Sequence, residues 1–366
     1  MEEAAKRYLN NKDAKALAAE LKTGILANPT AVSAALKIIL PSLETISNKD
    51  MLQLGDELNA AGILSSHKVE EQTYPILKEI FNIYIARQDY MNATNFLSKA
   101  PLLKEEFGIP KEERFQMILN LITAYLENKQ SISCEALLME AHKLATKIKN
   151  NDLLIQYNYC CGQYYNLTRK FLLSGMRYYA ACNIESANMT PDSISDMLSK
   201  VIDATILAPT GSKKSFLVAN LIKDERAKTF KNFQLLQKIS REVLINKEEI
   251  DAFCSGLSSH QNIMEKDGFT NVEKVFLEHN ILVIAKFYRD IKIESLAQKL
   301  KIKRSQLETI LQNMKNEEKM DLAIDHLTGF ITLKNDRQIL HSSNEALGNF
   351  CGLLERYQVP PPSAAK

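Results

Sequence analysis

Tryptophan is absent from the 366 residues, and glycine and proline are scarce, at twelve and ten, about half the usual ~12% combined share. So few chain breakers exclude a turn-rich sandwich or barrel and predict long helices joined by short turns. Cysteine is sparse too. Cys134, Cys160, Cys161, Cys182, Cys254 and Cys351 show no CxxC pairing, so free thiols in a reducing compartment, cytoplasmic and nuclear, are expected. No apolar run of about 18 residues occurs, which excludes a membrane-spanning helix. The polar opening MEEAAKRYLNNKDAK is not a signal peptide. Charge of one sign is also missing: 46 basic against 44 acidic residues leave a net +2. No global field therefore draws the chain to nucleic acid or an anionic membrane.

What is present is ordinary for a globular chain, with 45% hydrophobic and 25% charged residues, and the length suits two or three domains. To about residue 270 the apolar spacing is helical. Tyr74, Leu77, Ile80, Phe81 and Tyr84 recur at three and four, as do Phe115, Ile118, Leu119, Ile122 and Leu126. A weak internal period accompanies this pattern. Tyr84, Tyr125 and Tyr165 lie 41 and 40 residues apart, the length of two helices plus turns. A ring projecting from one helix needs a small side chain opposite, and Ala93, Ala136 and Gly175 are the expected partners. The pattern predicts an N-terminal α-solenoid of tetratricopeptide- or HEAT-like hairpins.

Residues 270–334 change character. An apolar helix through Val272, Phe276, Ile281 and Ile284 leads to a short alternating stretch at Ile291–Glu294. A brief helix with Leu296 and Leu300 follows, and then Ser305 and Glu308 in capping-box spacing ahead of Leu307, Ile310, Leu311 and Met314. Met320, Leu322 and Ile324 alternate with polar residues, residues 326–329 form a turn, and Ile331 and Leu333 alternate again. That order predicts a winged helix with a small β-hairpin. Such domains often bind DNA, and residues 286–304 hold seven basic residues against two acids. The third helix, however, carries Glu308 and no row of arginines, which favours a solvated edge or a contact with an acidic protein; a winged-helix nucleic-acid adaptor is the rival reading. Beyond residue 335, Leu340, Ser343, Leu347, Phe350, Leu354 and Tyr357 alternate at three and four, a heptad seam. Such a helix either folds back on its own domain or joins a bundle with other chains, and the strict alternation leans to the bundle. The Pro360–Pro362 tail is expected to be disordered.

Chemistry is hard to find. His67, His142, His260, His279, His326 and His341 include no HxH, HExxH or i,i+4 pair, so no metal site is expected. His279, on the most apolar helix, reads as a satisfied core histidine. Residues 201–215 imitate a strand, loop and Lys-Ser, but Gly211 stands alone where a phosphate loop needs two glycines. A loop between two helices is expected there, with no cofactor and no catalytic residue: the chain does not read as an enzyme.

Helical repeats, a winged helix and a terminal helix resemble the PCI-domain subunits of the proteasome lid, the signalosome and translation initiation factor three. Thr205-Ile206-Leu207-Ala208, Lys223-Asp224-Glu225-Arg226, Arg169-Lys170-Phe171, Glu278 to Leu282, and Met320 to Ile331 carry the resemblance. They point to the COP-9 signalosome branch, with the proteasome-lid paralogue as the alternative. The resemblance implies a non-catalytic scaffold. Its partners would be other signalosome subunits, including PCI subunits and a metalloprotease pair, together with cullin-RING ligases in cullin deneddylation. The organisation expected is a helical-repeat arm at 1–200, the helical part of the PCI domain at 201–270, the winged helix at 271–335, a bundle helix at 336–357 and a tail at 358–366. The interface would use hairpin edges at 320–325 and 330–334, with Met320, Leu322, Ile324, Ile331 and Leu333, and the seam residues Leu340, Leu347, Phe350, Leu354 and Tyr357.

Overall fold

A computed structural model describes residues 2–11, 13–41, 46–64, 70–98, 110–264, 268–325 and 327–334. The chain divides into two compact units, Met1–Leu198 and Ser199–Lys366. The first opens with α1 (Glu2–Asn11), α2 (Ala14–Ala27), α3 (Pro29–Ile39) and α4 (Asn48–Ala60). Asp13, Asn28 and Ser47 cap the last three by accepting amide hydrogens of their first turns, each contributing about 1 kcal/mol. Three helical hairpins follow: α5 (Glu70–Ala86) with α6 (Tyr90–Leu97), α7 (Lys111–Glu127) with α8 (Ser131–Ala145), and α9 (Asn151–Leu167) with α10 (Phe171–Cys182).

The tyrosine period is a structural period. The residue four after each tyrosine, namely Gln88, Lys129 and Arg169, takes a left-handed conformation with φ of 60°, 57° and 61°. The next amide then donates back to the tyrosine carbonyl: Asp89 to Tyr84 at 3.0 Å, Gln130 to Tyr125 at 2.9 Å, and Lys170 to Tyr165 at 2.8 Å. Each is a Schellman-type ending that satisfies carbonyls at the helix terminus. No glycine stands at these positions, so the turns bear about 1 kcal/mol or more of backbone strain each, offset by the packing beyond them.

In the first hairpin Ala93 is fully buried, while the Tyr84 ring stacks on Phe96 with centroids 5.5 Å apart; the other two expected small partners are corrected. Cys134 and Ser174 occupy the positions equivalent to Ala93, and all three are fully buried, whereas Ala136 is exposed and Gly175 lies one residue past the contact. Ser174 Oγ donates to Gly162 O at 2.8 Å, and Cys134 Sγ lies 4.0 Å from Ile122 O, each twelve residues back on the preceding helix. The ring that needs a small opposite is Tyr178. A Cβ on Gly162 would sit 2.6 Å from it, far inside van der Waals contact, so glycine here sets how closely α9 and α10 approach. Around these turns runs one apolar core from Ala4 to Tyr164, in which each buried Leu, Ile or Phe contributes ~1.5–3 kcal/mol.

Helix α11 (Pro191–Leu207) begins in the first unit and ends in the second, which also contains α12 (Ser212–Lys223), a 3-10 turn (Glu225–Thr229), α13 (Phe233–Ser240), α14 (Lys247–Cys254) and α15 (Asn271–Ala285). After these come β1 (Asp290–Lys292), α16 (Ile293–Leu300), α17 (Arg304–Asn316), β2 (Asp321–Asp325) and β3 (Phe330–Lys334), the winged-helix order. A capping box does occur, at α15: Thr270 N–H donates to Glu273 Oε2 at 2.9 Å and Glu273 N–H to Thr270 Oγ1 at 3.2 Å. The one expected at Ser305 and Glu308 does not, because the N-cap of α17 is Lys303, two residues earlier, whose amide donates to Gln306 Oε1 at 3.3 Å, and Glu308 is taken by Arg304 Nε at 3.0 Å. Asp325 closes the hairpin by accepting the Leu327 amide and the Thr328 hydroxyl, with Gly329 at φ 70° completing the turn.

Replacing Gly162 by alanine is expected to lower the stability of the full chain by about 1–3 kcal/mol through displacement of the Tyr178 ring. Chemical denaturation measures this, and an unchanged midpoint contradicts the tight approach of α9 and α10.

Candidate protein interface

The polar side chains buried in the second unit bind structure to structure. Along α15, three consecutive residues each hold a different piece of chain. Glu278 accepts Lys319 Nζ at 2.7 Å, just ahead of β2, and both side chains are nearly buried. His279 Nε2 lies 3.0 Å from Val243 O; a carbonyl only accepts, so this nitrogen carries the proton. Burial holds His279 below the ordinary imidazole value, favouring the neutral ring that this bond uses. Asn280 clasps one residue twice, accepting the Ile245 amide and donating to the Ile245 carbonyl, both at 2.9 Å. The histidine expected to be satisfied in the core is satisfied in this way.

The region resembling a phosphate loop is likewise committed. Residues 201–207 are helix, within α11, and Lys214 reaches back to donate to Ile206 O at 2.9 Å and Ala208 O at 2.7 Å. It caps the carbonyl end of α11, where the helix dipole favours a cation. Burial pushes its amine down to about 7, against the opposing attraction of Glu278. Among the described residues no group of three or more His, Cys, Asp and Glu could hold a metal ion.

The sheet order is β1-β3-β2, antiparallel throughout. This corrects one expected surface: β3 is the central strand, paired on both sides, and its edge at 330–334 is not available. Ile331 and Leu333 face inward, and so do Met320 and Leu322, in a core shared with Ile310, Leu311 and Ile284. Ile324 is partly buried against the same core. These side chains hold the domain together and do not form an outer face.

Among the described residues, the strand edge that remains open is the outer edge of β2. Arg289 O accepts the Leu333 amide at 2.7 Å and Gly329 O the Ile293 amide at 2.9 Å, so the odd-numbered residues of β3 bond toward β1 and the even-numbered ones toward β2. Through the register Asp321↔Lys334, Ala323↔Thr332 and Asp325↔Phe330, the main-chain groups of Leu322 and Ile324 point outward. The expected Leu322 and Ile324 thus belong to an edge through their backbone. Leu340, Leu347, Phe350, Leu354 and Tyr357 lie outside the described residues. Phe287 and Tyr288 sit inside the basic stretch that reads in sequence as a solvated edge, and both are exposed.

Residues 236–335 match the PCI domain family model, a span that includes α14 to β3. The chain is similar to the COP9 signalosome complex subunit 4 of Arabidopsis thaliana, 29% identical over 290 residues, covering 78% of this chain and 73% of that protein. It is also similar to the subunit 4 proteins of Drosophila melanogaster, 27% over 301 residues covering 80% and 72%, and Dictyostelium discoideum, 25% over 284 residues covering 77% and 71%.

Lys214 generates a pH dependence. Its amine titrates near 10.5 when solvated and about 7 when folded, so between these values the unfolded chain holds a proton that the folded chain has shed. Stability contributed at this site therefore rises with pH through that window, by up to ~1.4 kcal/mol per unit. The stability difference between the native chain and Lys214→Met is expected to grow by at least about 1 kcal/mol from about pH 7.5 to about pH 9. Parallel urea titrations of the two proteins measure it, and a difference independent of pH contradicts the burial of an uncharged amine.

Proposed function

We propose that this PCI-domain chain is a non-catalytic scaffold subunit of a COP9 signalosome, occupying the place of subunit 4. The observation that carries this reading is similarity to subunit 4 proteins of a plant, an insect and a slime mould over about four-fifths of the chain, joined to a PCI domain ending in a winged helix. Its role is assembly by separate surfaces. The β2 edge offers the main-chain groups of Leu322 and Ile324 to a strand of a neighbouring PCI subunit, since an unpaired edge is a template for strand addition. The heptad seam from Leu340 to Tyr357 enters a helical bundle with sister chains. The repeat hairpins of the first unit engage neighbouring subunits and cullin-RING ligases, whose deneddylation is carried out by a metalloprotease subunit elsewhere in the complex. The location that fits such work is cytoplasmic and nuclear. Buried polar groups spent on capping and clasping, as at Lys214, His279 and Asn280, support a structural role for this chain over a catalytic one.

Co-purification tests this reading. A chain truncated after Asp336 is expected to lose the co-purifying complex, and an unchanged partner set rejects the bundle. Ile324→Pro removes one outward amide on an edge strand, where proline is tolerated. It also removes a partly buried side chain, so circular dichroism checks folding; the folded variant is expected to detach the subunit that pairs along β2, and retention of every partner contradicts pairing through that edge.

A further inference from the structure

Along the open edge of β2 the side chains alternate strictly. Leu322 is buried and Ile324 partly buried on the core face, while Asp321, Ala323 and Asp325 are exposed on the other. A strand added antiparallel sets each of its side chains beside the one opposite, on the same face of the sheet. The solvent-side row that it meets therefore reads acid, small, acid. Asp325 accepts the Leu327 amide and the Thr328 hydroxyl in the turn, and Asp321 stands opposite Lys334 on the β3 side, but the row itself holds no base. Charged side chains on an edge strand guard against indiscriminate pairing.

A second copy of this chain fits that row badly. The antiparallel register that bonds Leu322 to Ile324 of the second copy, and Ile324 to its Leu322, uses both outward residues of the strand. It also sets Asp321 against Asp325 twice, and like charges directly opposite destabilise a strand pair. Sliding the register by two residues carries one bonding residue past the end of β2. Pairing two such edges in parallel turns one sheet over, which brings its aspartates to the apolar side of the other. We propose that the β2 edge takes a strand from a different chain and excludes a second copy of this one. The accepted strand carries basic side chains opposite Asp321 and Asp325 and apolar side chains beside Leu322 and Ile324. Such selectivity rests on the reading of β2 as the edge that pairs with a neighbouring PCI subunit. The apolar residue beside Ile324 covers the part of that side chain which the domain leaves exposed. The basic pair supplies the opposite charge, so the right strand is attracted and the wrong one repelled.

One substitution inverts both preferences. Asp321→Arg leaves Asp325 in its turn and converts both repelling pairs of the self-paired register into Arg–Asp pairs, while setting a cation against the basic strand of the partner. The full-length variant is expected to dimerise at least about tenfold more tightly than the native chain in sedimentation equilibrium at physiological salt, and to lose the β2 neighbour from the co-purified complex. Asp321→Asn, nearly isosteric, is expected to fall between the two in both measurements, with the neighbour leaving at lower salt than from the native complex. Residue 321 is exposed, and circular dichroism checks that both variants fold; should the arginine disturb folding, the asparagine carries the test. Ile324→Pro in the same complex separates edge pairing from its selectivity. If it detaches the neighbour while the residue-321 variants fail to loosen that neighbour or gain no self-association, selection by charge is overturned and edge pairing stands. If Ile324→Pro detaches nothing, the edge is covered by another segment of this chain or unused, and both fall. A native dimer that Ile324→Pro abolishes overturns the exclusion of a second copy.

Discussion

The second unit depends on one short run of polar residues in an apolar helix. Glu278, His279 and Asn280 are almost the only polar side chains buried on α15, and each ties the helix to another piece of chain: the approach to β2, Val243 and Ile245. Each bond contributes only about 1 kcal/mol net, but leaving any of these groups unpaired in the interior costs more. The three bonds therefore act less as a source of stability than as a fixing of register. They decide which main-chain segment lies along α15 and where the winged helix begins, which in turn sets the sheet whose edge faces outward.

The period of 40 and 41 residues was legible in the sequence because the tyrosines mark a repeated helix ending, not because the rings do the same work in each hairpin. The register of the small residue was harder to read. Ala136 and Gly175 look like the partners if only alanine and glycine are sought, but helix geometry places the contact five residues after the left-handed turn, where Cys134 and Ser174 stand. A thiol and a hydroxyl fit there because the facing carbonyls of Ile122 and Gly162 accept them. Composition alone hides that equivalence.

The winged helix was legible as an order of elements, and its hairpin as alternation. Which strand sits in the middle was not, since β1 is only three residues long and alternation says nothing of which strand it joins. That single fact moves the available edge from β3 to β2 and turns Ile331 and Leu333 from surface into core. The aromatic pair Phe287-Tyr288 is hard to read in sequence for a similar reason: a basic stretch reads as charge, and only the fold shows lysines laid over Tyr288 and Phe330. The phosphate-loop imitation at 201–215 fails in sequence on its missing glycine, and the structure adds the positive explanation that Lys214 is spent capping α11.

The central claim is that the chain works by offering backbone and helix surfaces to sister polypeptides. Amide hydrogen exchange on β2 reads this most directly. In the free chain Leu322 and Ile324, whose amides face outward, exchange fast, while Ala323, bonded to β3, exchanges slowly; in the purified complex the account predicts that Leu322 and Ile324 become as protected as Ala323. Equally fast exchange of Leu322 and Ile324 in the free chain and in the complex would contradict it.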